Sequence, residues 1–161
     1  MSENDEQKLA IEIFQQAYAC QMGGQLDEAV ELYKKSIDVF PTAEAHTFLG
    51  WTYSFMGRYE EAIAECKLAI RVDPDFGNPY NDIGAYLIEQ GALDEAIPWL
   101  EKATRAKRYE SYCFPHCNLG RVYERKYQWQ KAKECYRAAL EQNPQYRQAK
   151  AALRRLEAMG N

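Results

Sequence analysis

The sequence predicts an all-α protein made of four copies of a two-helix unit and one further helix at the C-terminal end. Three observations lead to this fold class. Ala29, Ala62, Ala96 and Ala132 recur at intervals of 33, 34 and 36 residues within similar sequence. Apolar residues around them follow the i, i+3, i+4, i+7 spacing of amphipathic helices. Glycine and proline recur at fixed places between these segments, where a helix must turn or end.

Each unit has the same internal order. Gly24, Gly57 and Gly91 mark the turn after the first helix, because glycine adopts left-handed backbone angles at little cost. An acidic pair then opens the second helix, where negative charge is favourable near the positive end of the helix dipole. A proline closes three of the units, at Pro41, Pro74 and Pro144. Small residues paired with the repeated alanines are expected to let the two helices of a unit approach closely; they are Ala17, Gly50, Gly84 and Gly120.

The order Leu-Gly-x-x-Tyr, then Ala, then Pro, as in Leu49-Gly50, Tyr53, Ala62 and Pro74, resembles the tetratricopeptide repeat. The resemblance implies one domain over residues 1–161, coiled as a right-handed superhelix. Its units are expected at about 10–42, 43–76, 77–112 and 113–146, followed by a capping helix over 147–160. The third unit lacks the closing proline and has a connection two residues longer than the standard one. Pro98 is expected in the first turn of its helix, where proline is tolerated.

Charge is divided unevenly along the chain. Residues 1–100 carry 6 Lys/Arg and 18 Asp/Glu, whereas residues 101–161 carry 14 and 6, so balances of −12 and +8 give the net −4. Such a field steers a charged partner or a second copy of the chain. It also opposes binding to nucleic acid, because the acidic part would repel phosphates.

The expected location is the cytoplasm. The chain has an odd number of cysteines, five, and an acidic N-terminal segment unlike the basic start of a signal peptide. Both features are typical of a reducing compartment. No apolar run approaches the roughly 20 residues that a membrane-spanning helix needs.

No enzymatic activity, cofactor or metal is expected. Cys113, His116 and Cys117 lie close together in sequence, but no second pair of metal ligands is nearby. His116 and His46 occupy the same place in their units, where the family buries an aromatic ring, which favours packing roles for both. The sequence also lacks a glycine-rich phosphate loop and an obvious general base.

The resemblance implies that ligands lie in a concave groove lined by the first helix of each unit. Aromatic and apolar residues occupy this face in the first two units, and arginines occupy it in the last. An apolar or helical peptide of another protein is the expected partner. The alternative, that these rings pack only on one another, stays open. The residues predicted to line the groove are Phe14, Tyr18, Met22, Thr47, Trp51, Phe55, Asn81, Glu89, Asn118, Arg121 and Arg125.

Members of this family with a carboxylate clamp hold the acidic C-termini of heat-shock chaperones through Lys, Asn and Arg side chains. Here the matching positions lack the lysines in both possible registers, and Asp82 would repel a carboxylate. A clamp of that type is therefore not expected. Arg121 and Arg125 remain a weaker candidate for holding a single carboxylate. The basic residues of the longer connection are a predicted secondary contact: Arg105, Lys107 and Arg108.

Two functions follow from these observations. The leading one is an adaptor that presents a peptide groove to another protein. The alternative is a structural module that self-associates head to tail, through its acidic N-terminal and basic C-terminal parts. A small secretion-type chaperone is a third possibility, which rests on chain length and repeat alone.

Overall fold

The computed structural model describes residues 1–160. Over this part of the chain the protein forms nine α-helices and no β-sheet. None of these helices is both long enough and apolar enough to cross a bilayer. The helices are α1 (Glu3–Met22), α2 (Leu26–Val39), α3 (Ala43–Phe55), α4 (Tyr59–Val72), α5 (Asn78–Glu89), α6 (Leu93–Thr104), α7 (Cys113–Arg125), α8 (Trp129–Gln142) and α9 (Arg147–Ala158).

The helices pack as four successive hairpins, α1–α2, α3–α4, α5–α6 and α7–α8, and α9 packs on α8. Each hairpin also contacts the next one in the chain. The odd-numbered helices contact their odd-numbered neighbours, so they form the inner row of the stack. The predicted all-α array of helix-turn-helix units with a terminal helix is confirmed.

Small residues hold the two helices of each hairpin together, as predicted. Ala17, Ala29, Ala62, Ala96 and Ala132 are completely buried. A methyl group at Gly50 would lie 2.8 Å from the carbonyl oxygen of Ala62, and one at Gly84 would lie 2.3 Å from Leu100 Cδ2. A larger side chain would therefore force the helices apart.

Positive backbone angles stop the first helix of each unit. Gly24, Gly57 and Gly91 have φ values of 79°, 74° and 78°, which confirms the role predicted for them. The fourth unit makes the same turn at Tyr127, with φ 61°. A non-glycine residue in this region is strained because its Cβ lies too close to its own backbone.

Two irregular features concern the third unit. Helix α6 begins at Leu93, so Pro98 lies in its second turn and not in the first, which corrects the prediction. The longer connection after α6 folds back on the start of α5. There, the Arg108 N–H donates to the Asp75 carbonyl over 2.9 Å, and the Gly77 N–H donates to the Arg108 carbonyl over 2.9 Å.

Replacing Tyr127 by glycine should stabilise the protein. Relief of the left-handed strain, about 1–2 kcal/mol, outweighs the extra entropy of glycine in the unfolded chain, about 0.5–1 kcal/mol. We expect Tyr127→Gly to raise the free energy of unfolding by about 0.5–1 kcal/mol in urea titration. Gly91→Ala is the matched control, because its added methyl group would meet nothing within 4 Å. It should destabilise through the backbone alone, and a loss of stability in Tyr127→Gly would contradict the argument.

Candidate functional site

Five aromatic rings of α1 and α3 form a continuous row on the inner side of the array, which we call the aromatic strip: Phe14, Tyr18, Phe48, Trp51 and Phe55. Adjacent ring centroids are 5.2 Å apart for Phe14–Phe48, 5.9 Å for Tyr18–Phe48, 5.8 Å for Phe48–Trp51 and 5.1 Å for Trp51–Phe55. The rings therefore do pack on one another. Tyr18 and Phe55 nevertheless remain 42% and 58% exposed, so the strip presents apolar surface to solvent.

Of two further residues of α1 and α3 that were predicted to line the groove, Met22 is exposed and Thr47 is buried. Met22 is exposed at the end of α1, beyond Tyr18. Thr47 is only 1% exposed, and its hydroxyl donates to the Ala43 carbonyl over 2.7 Å within α3. Thr47 therefore does not lie on the accessible surface of the groove, which corrects the prediction.

A cavity of about 370 Å³ opens beside the aromatic strip, and we call it the Asp82 pocket. Five of its eight lining residues are aromatic: Tyr18, Phe48, Trp51, Tyr109 and Phe114. The other three are polar residues of α5: Asn78, Asn81 and Asp82. The pocket thus combines an apolar wall with one carboxylate and two amides.

Tyr109 reaches this pocket from the longer connection between α6 and α7. Its ring packs against Gly77, where an added Cβ would lie 2.5 Å from the ring. The neighbouring Arg108 fixes the connection, because its guanidinium donates to Asp73 over 2.8 Å and lies 4.1 Å above the Phe76 ring. All three residues of the predicted secondary contact, Arg105, Lys107 and Arg108, are exposed, but the guanidinium of Arg108 is already paired within the protein.

Asp82 is half-buried in the pocket. Loss of water around the carboxylate raises the pKa of Asp82 to about 7, and a side-chain hydrogen bond from Asn81 acts in the opposite direction. Asp82 has no ion-pair partner within residues 1–160. A carboxylate in this setting is poorly solvated and unpaired when it is ionised.

A polar ladder continues the groove from the pocket toward α7. Asn118 Nδ2 donates to Asn81 Oδ1 over 2.9 Å, and Arg121 Nη1 donates to Asn118 Oδ1 over 2.9 Å. Arg121 also pairs with Glu89 at 3.3 Å, and Arg125 Nη1 donates to the Ile88 carbonyl over 3.3 Å. Both arginines predicted to hold a carboxylate therefore already have acceptors within the protein.

The sequence prediction of the groove missed Phe48, Asn78, Asp82, Tyr109 and Phe114. A signal existed for two of them. Phe48 and Asp82 both stand two residues before the repeat glycine, as does the predicted Asn118. No repeat signal marks Tyr109, because it lies in the connection that is specific to the third unit.

The cysteines and histidines occupy packing positions. Cys113 and Cys117 are buried, and burial raises the pKa of Cys117 to about 11, so its thiol is protonated at neutral pH. His46 is buried, with its Nδ1 2.8 Å from Glu65 Oε2, and burial lowers the pKa of the half-buried His116. Within residues 1–160 no group of three or more His, Cys, Asp or Glu side chains is arranged to hold a metal ion.

Removing the charge of Asp82 should stabilise the fold at alkaline pH. The ordinary pKa of this group is 3.8, so between pH 4 and 7 the folded state binds more protons than the unfolded one. The free energy of unfolding therefore falls as the pH rises through this window. We expect Asp82→Asn to be more stable than wild type at pH 8 by on the order of 2–4 kcal/mol, and by less at pH 5, in urea titrations.

The exposed Asp38 offers a control with the same change in net charge. Asp38→Asn should change the free energy of unfolding by no more than about 0.5 kcal/mol at either pH. A variant Asp82→Asn that is no more stable than wild type at pH 8 would show that the Asp82 carboxylate is well solvated.

Comparison with known proteins agrees with this repeated architecture. Three tetratricopeptide repeat profiles match residues 43–76, 80–108 and 113–146. Tetratricopeptide repeat protein 29 of Homo sapiens is 31% identical over 88% of this chain and 29% of its own length. The matched region spans 29% of the length of this relative and 21% and 16% of two other tetratricopeptide or heat-shock relatives.

Solved structures share the fold at low sequence identity. The Pseudomonas aeruginosa PilF structure superposes with a TM-score of 0.89 at 21% identity, covering 96% of this chain and 70% of PilF. YrrB, a TPR protein with an unusual peptide-binding site, superposes with a TM-score of 0.69 at 21% identity, covering 93% of this chain and 77% of YrrB. With three matched repeats and four helical hairpins in register, this chain belongs to the tetratricopeptide repeat family.

Proposed function

We propose that this chain is an adaptor that binds a peptide or short helical segment of another protein in its inner groove. The observation that carries the proposal is the aromatic strip, which leaves Tyr18 and Phe55 42% and 58% exposed and borders the Asp82 pocket through Tyr18. Exposed aromatic rings next to a cavity are the anchors that dominate binding energy at protein interfaces. Tetratricopeptide repeat proteins generally mediate protein–protein interactions, which supports this role.

The proposed role is non-catalytic and uses no cofactor. The thiols of all five cysteines are free, in keeping with a reducing compartment, and we place the protein in the cytoplasm. The partner we propose is a protein segment with apolar anchors. Nucleic acid and membrane are not part of the proposal.

Binding should depend on the exposed rings of the aromatic strip. A random peptide library displayed on phage is selected on wild-type protein, and the enriched peptides are measured by fluorescence anisotropy. We expect the double variant Tyr18→Ala/Phe55→Ala to bind them at least about tenfold more weakly, since truncating an aromatic anchor typically costs more than 1 kcal/mol. Its melting temperature should fall by no more than about 5 °C, because each ring is about half exposed and contacts one other ring of the strip.

Leu68 provides the matched control, as an exposed apolar residue on the outer helix α4. Leu68→Ala should leave affinity unchanged. Peptides that bind the double variant and wild type equally, or a library without any enriched peptide, would refute the proposal. A large drop in melting temperature would instead favour the alternative in which the rings serve packing alone.

The charge division supports head-to-tail self-association as a second candidate. Residues 1–100 carry a net charge of −12, and residues 101–161 carry +8. The acidic part of one copy therefore attracts the basic part of another. Part of this basic charge lies on exposed residues of α9, including Arg147 and Arg154. A contact between two different surfaces of the same chain builds rings or filaments.

Ionic strength distinguishes this candidate from the adaptor. If the contact is electrostatic, light scattering at 20 mM salt should report oligomers that dissociate to monomers at 500 mM, where charges are screened within about 5 Å. A mass that equals the monomer at both salt concentrations would exclude charge-driven assembly and leave the peptide groove unaffected.

A further inference from the structure

The Asp82 pocket has one formal charge, and that charge is unpaired. Its eight lining residues comprise five aromatic rings, two amides and the Asp82 carboxylate. Other carboxylates on the neighbouring surface have cationic partners within the protein. Asp73 pairs with Arg108 at 2.8 Å and Glu89 with Arg121 at 3.3 Å. Asp82 differs from them in being less solvated and in having no cationic partner within residues 1–160.

Nearby cations do not reach Asp82 because other acceptors hold them. Arg121 donates to Asn118 and pairs with Glu89, and Arg108 pairs with Asp73 and Glu44. The carboxylate therefore faces a cavity walled by rings. An ionised carboxylate removed from water is stabilised only if an opposite charge and hydrogen-bond donors are supplied to it.

We propose that the Asp82 pocket receives a lysine or arginine side chain of the bound segment, with the cation on Asp82 and the alkyl chain between the aromatic rings. This inference rests on the proposed peptide-binding function and adds the chemistry of one anchor. The faces of Tyr18, Phe48, Trp51, Tyr109 and Phe114 carry the negative potential that attracts a cation. The methylene groups of lysine and arginine bury well against such surfaces.

The polar wall suits a cationic donor as well. Ammonium and guanidinium groups donate hydrogen bonds and accept none, so they need acceptors. The Asp82 carboxylate and the amide oxygen of Asn78 supply these acceptors. The acidic balance of the first 100 residues adds a long-range attraction for a basic segment.

Binding of a cation should compete with a proton on Asp82. The other titratable groups packed around it are the Tyr18 phenol from α1, Cys66 from α4, Tyr86 from α5 itself and Tyr109 from the connection. Burial raises the pKa of Cys66, Tyr86 and Tyr109, which keeps them uncharged near neutral pH. The residues of α3 and α7 that line the pocket are Phe48, Trp51 and Phe114, and none of these side chains titrates. Asp82, with its pKa of about 7, is then the group that sets the pH dependence.

The pocket is tested first with side-chain analogues. n-Butylammonium chloride and n-butylguanidinium chloride are titrated into ¹⁵N-labelled wild-type protein, with neutral 1-pentanol in parallel, and amide and Trp51 indole shifts are followed. We expect saturable shifts around Asp82 and Tyr109 for the cations, with an affinity at least about tenfold above that of 1-pentanol. Affinity should fall by about tenfold from pH 8 to pH 6, as the proton occupies Asp82.

Asp82→Asn keeps the shape of the pocket and should lose the preference for the cations over 1-pentanol. Asp38→Asn is the matched control, since Asp38 is exposed on the outer helix α2 and the change in residue type and net charge is the same. It should bind the cations within about twofold of wild type, because an exposed carboxylate outside the pocket contributes little. Equal binding of the cations and 1-pentanol by wild type, or unchanged cation binding by Asp82→Asn, would overturn the inference.

Peptides separate this inference from the proposed function. We expect library peptides that depend on Tyr18 and Phe55 to carry a lysine or arginine. Replacing that residue of the peptide by methionine should weaken binding to the wild-type protein but not to the Asp82→Asn variant. Peptides that depend on the aromatic strip but keep full affinity after this replacement would overturn the inference and leave the adaptor function standing. A library without enriched peptides would refute the adaptor function, and the inference as a peptide anchor would fall with it.

Discussion

The structure depends on the close packing of a small residue of the first helix of a hairpin against the second helix, which occurs at Gly50, Gly84 and Gly120. In the second unit this contact joins Gly50 to the backbone of Ala62. Because the contact fixes which side of the first helix faces the second, it also fixes which side faces the groove. At 100° per residue, a position two residues before the glycine points about 200° away from it. Phe48 and Asp82 occupy this position, and both line the pocket.

The same geometry separates what the sequence could predict from what it could not. The repeat determines the hairpins, their turns and the glycine contacts, so the fold class and the nine helices of residues 1–160 were predictable. Thr47 was predicted to lie in the groove, yet it is buried and its hydroxyl donates to the Ala43 carbonyl within α3, whereas Asn81 at the equivalent place of the third unit does line the pocket. Rows spaced by four residues drift around a helix, so Trp51 and Phe55 of the same row do reach the groove. The Tyr109 wall was not predictable because no other unit has an equivalent residue.

Asp82 illustrates a conflict between stability and binding within one side chain. The repeat places an inward-facing residue here, and at the equivalent positions of the neighbouring units Phe48 and Asn118 are uncharged. Phe48 packs with other rings, and Asn118 takes part in the ladder with Asn81 and Arg121. A half-buried carboxylate destabilises the unliganded fold, whereas an asparagine at this position would bring no charge to be desolvated. Residues that reduce stability in this way are commonly found at binding sites, where a ligand offsets the cost.

The longer connection of the third unit gains a role from this arrangement. Its basic residues suggested a contact surface, yet Arg108 binds Asp73 and stacks on Phe76, and so holds the connection against the start of α5. This attachment seats Tyr109 on Gly77, where only glycine leaves room for the ring. Without Tyr109, the Asp82 pocket would lose the wall that the connection supplies. The longer connection therefore completes the pocket, and its arginine contributes to the site by holding the connection in place.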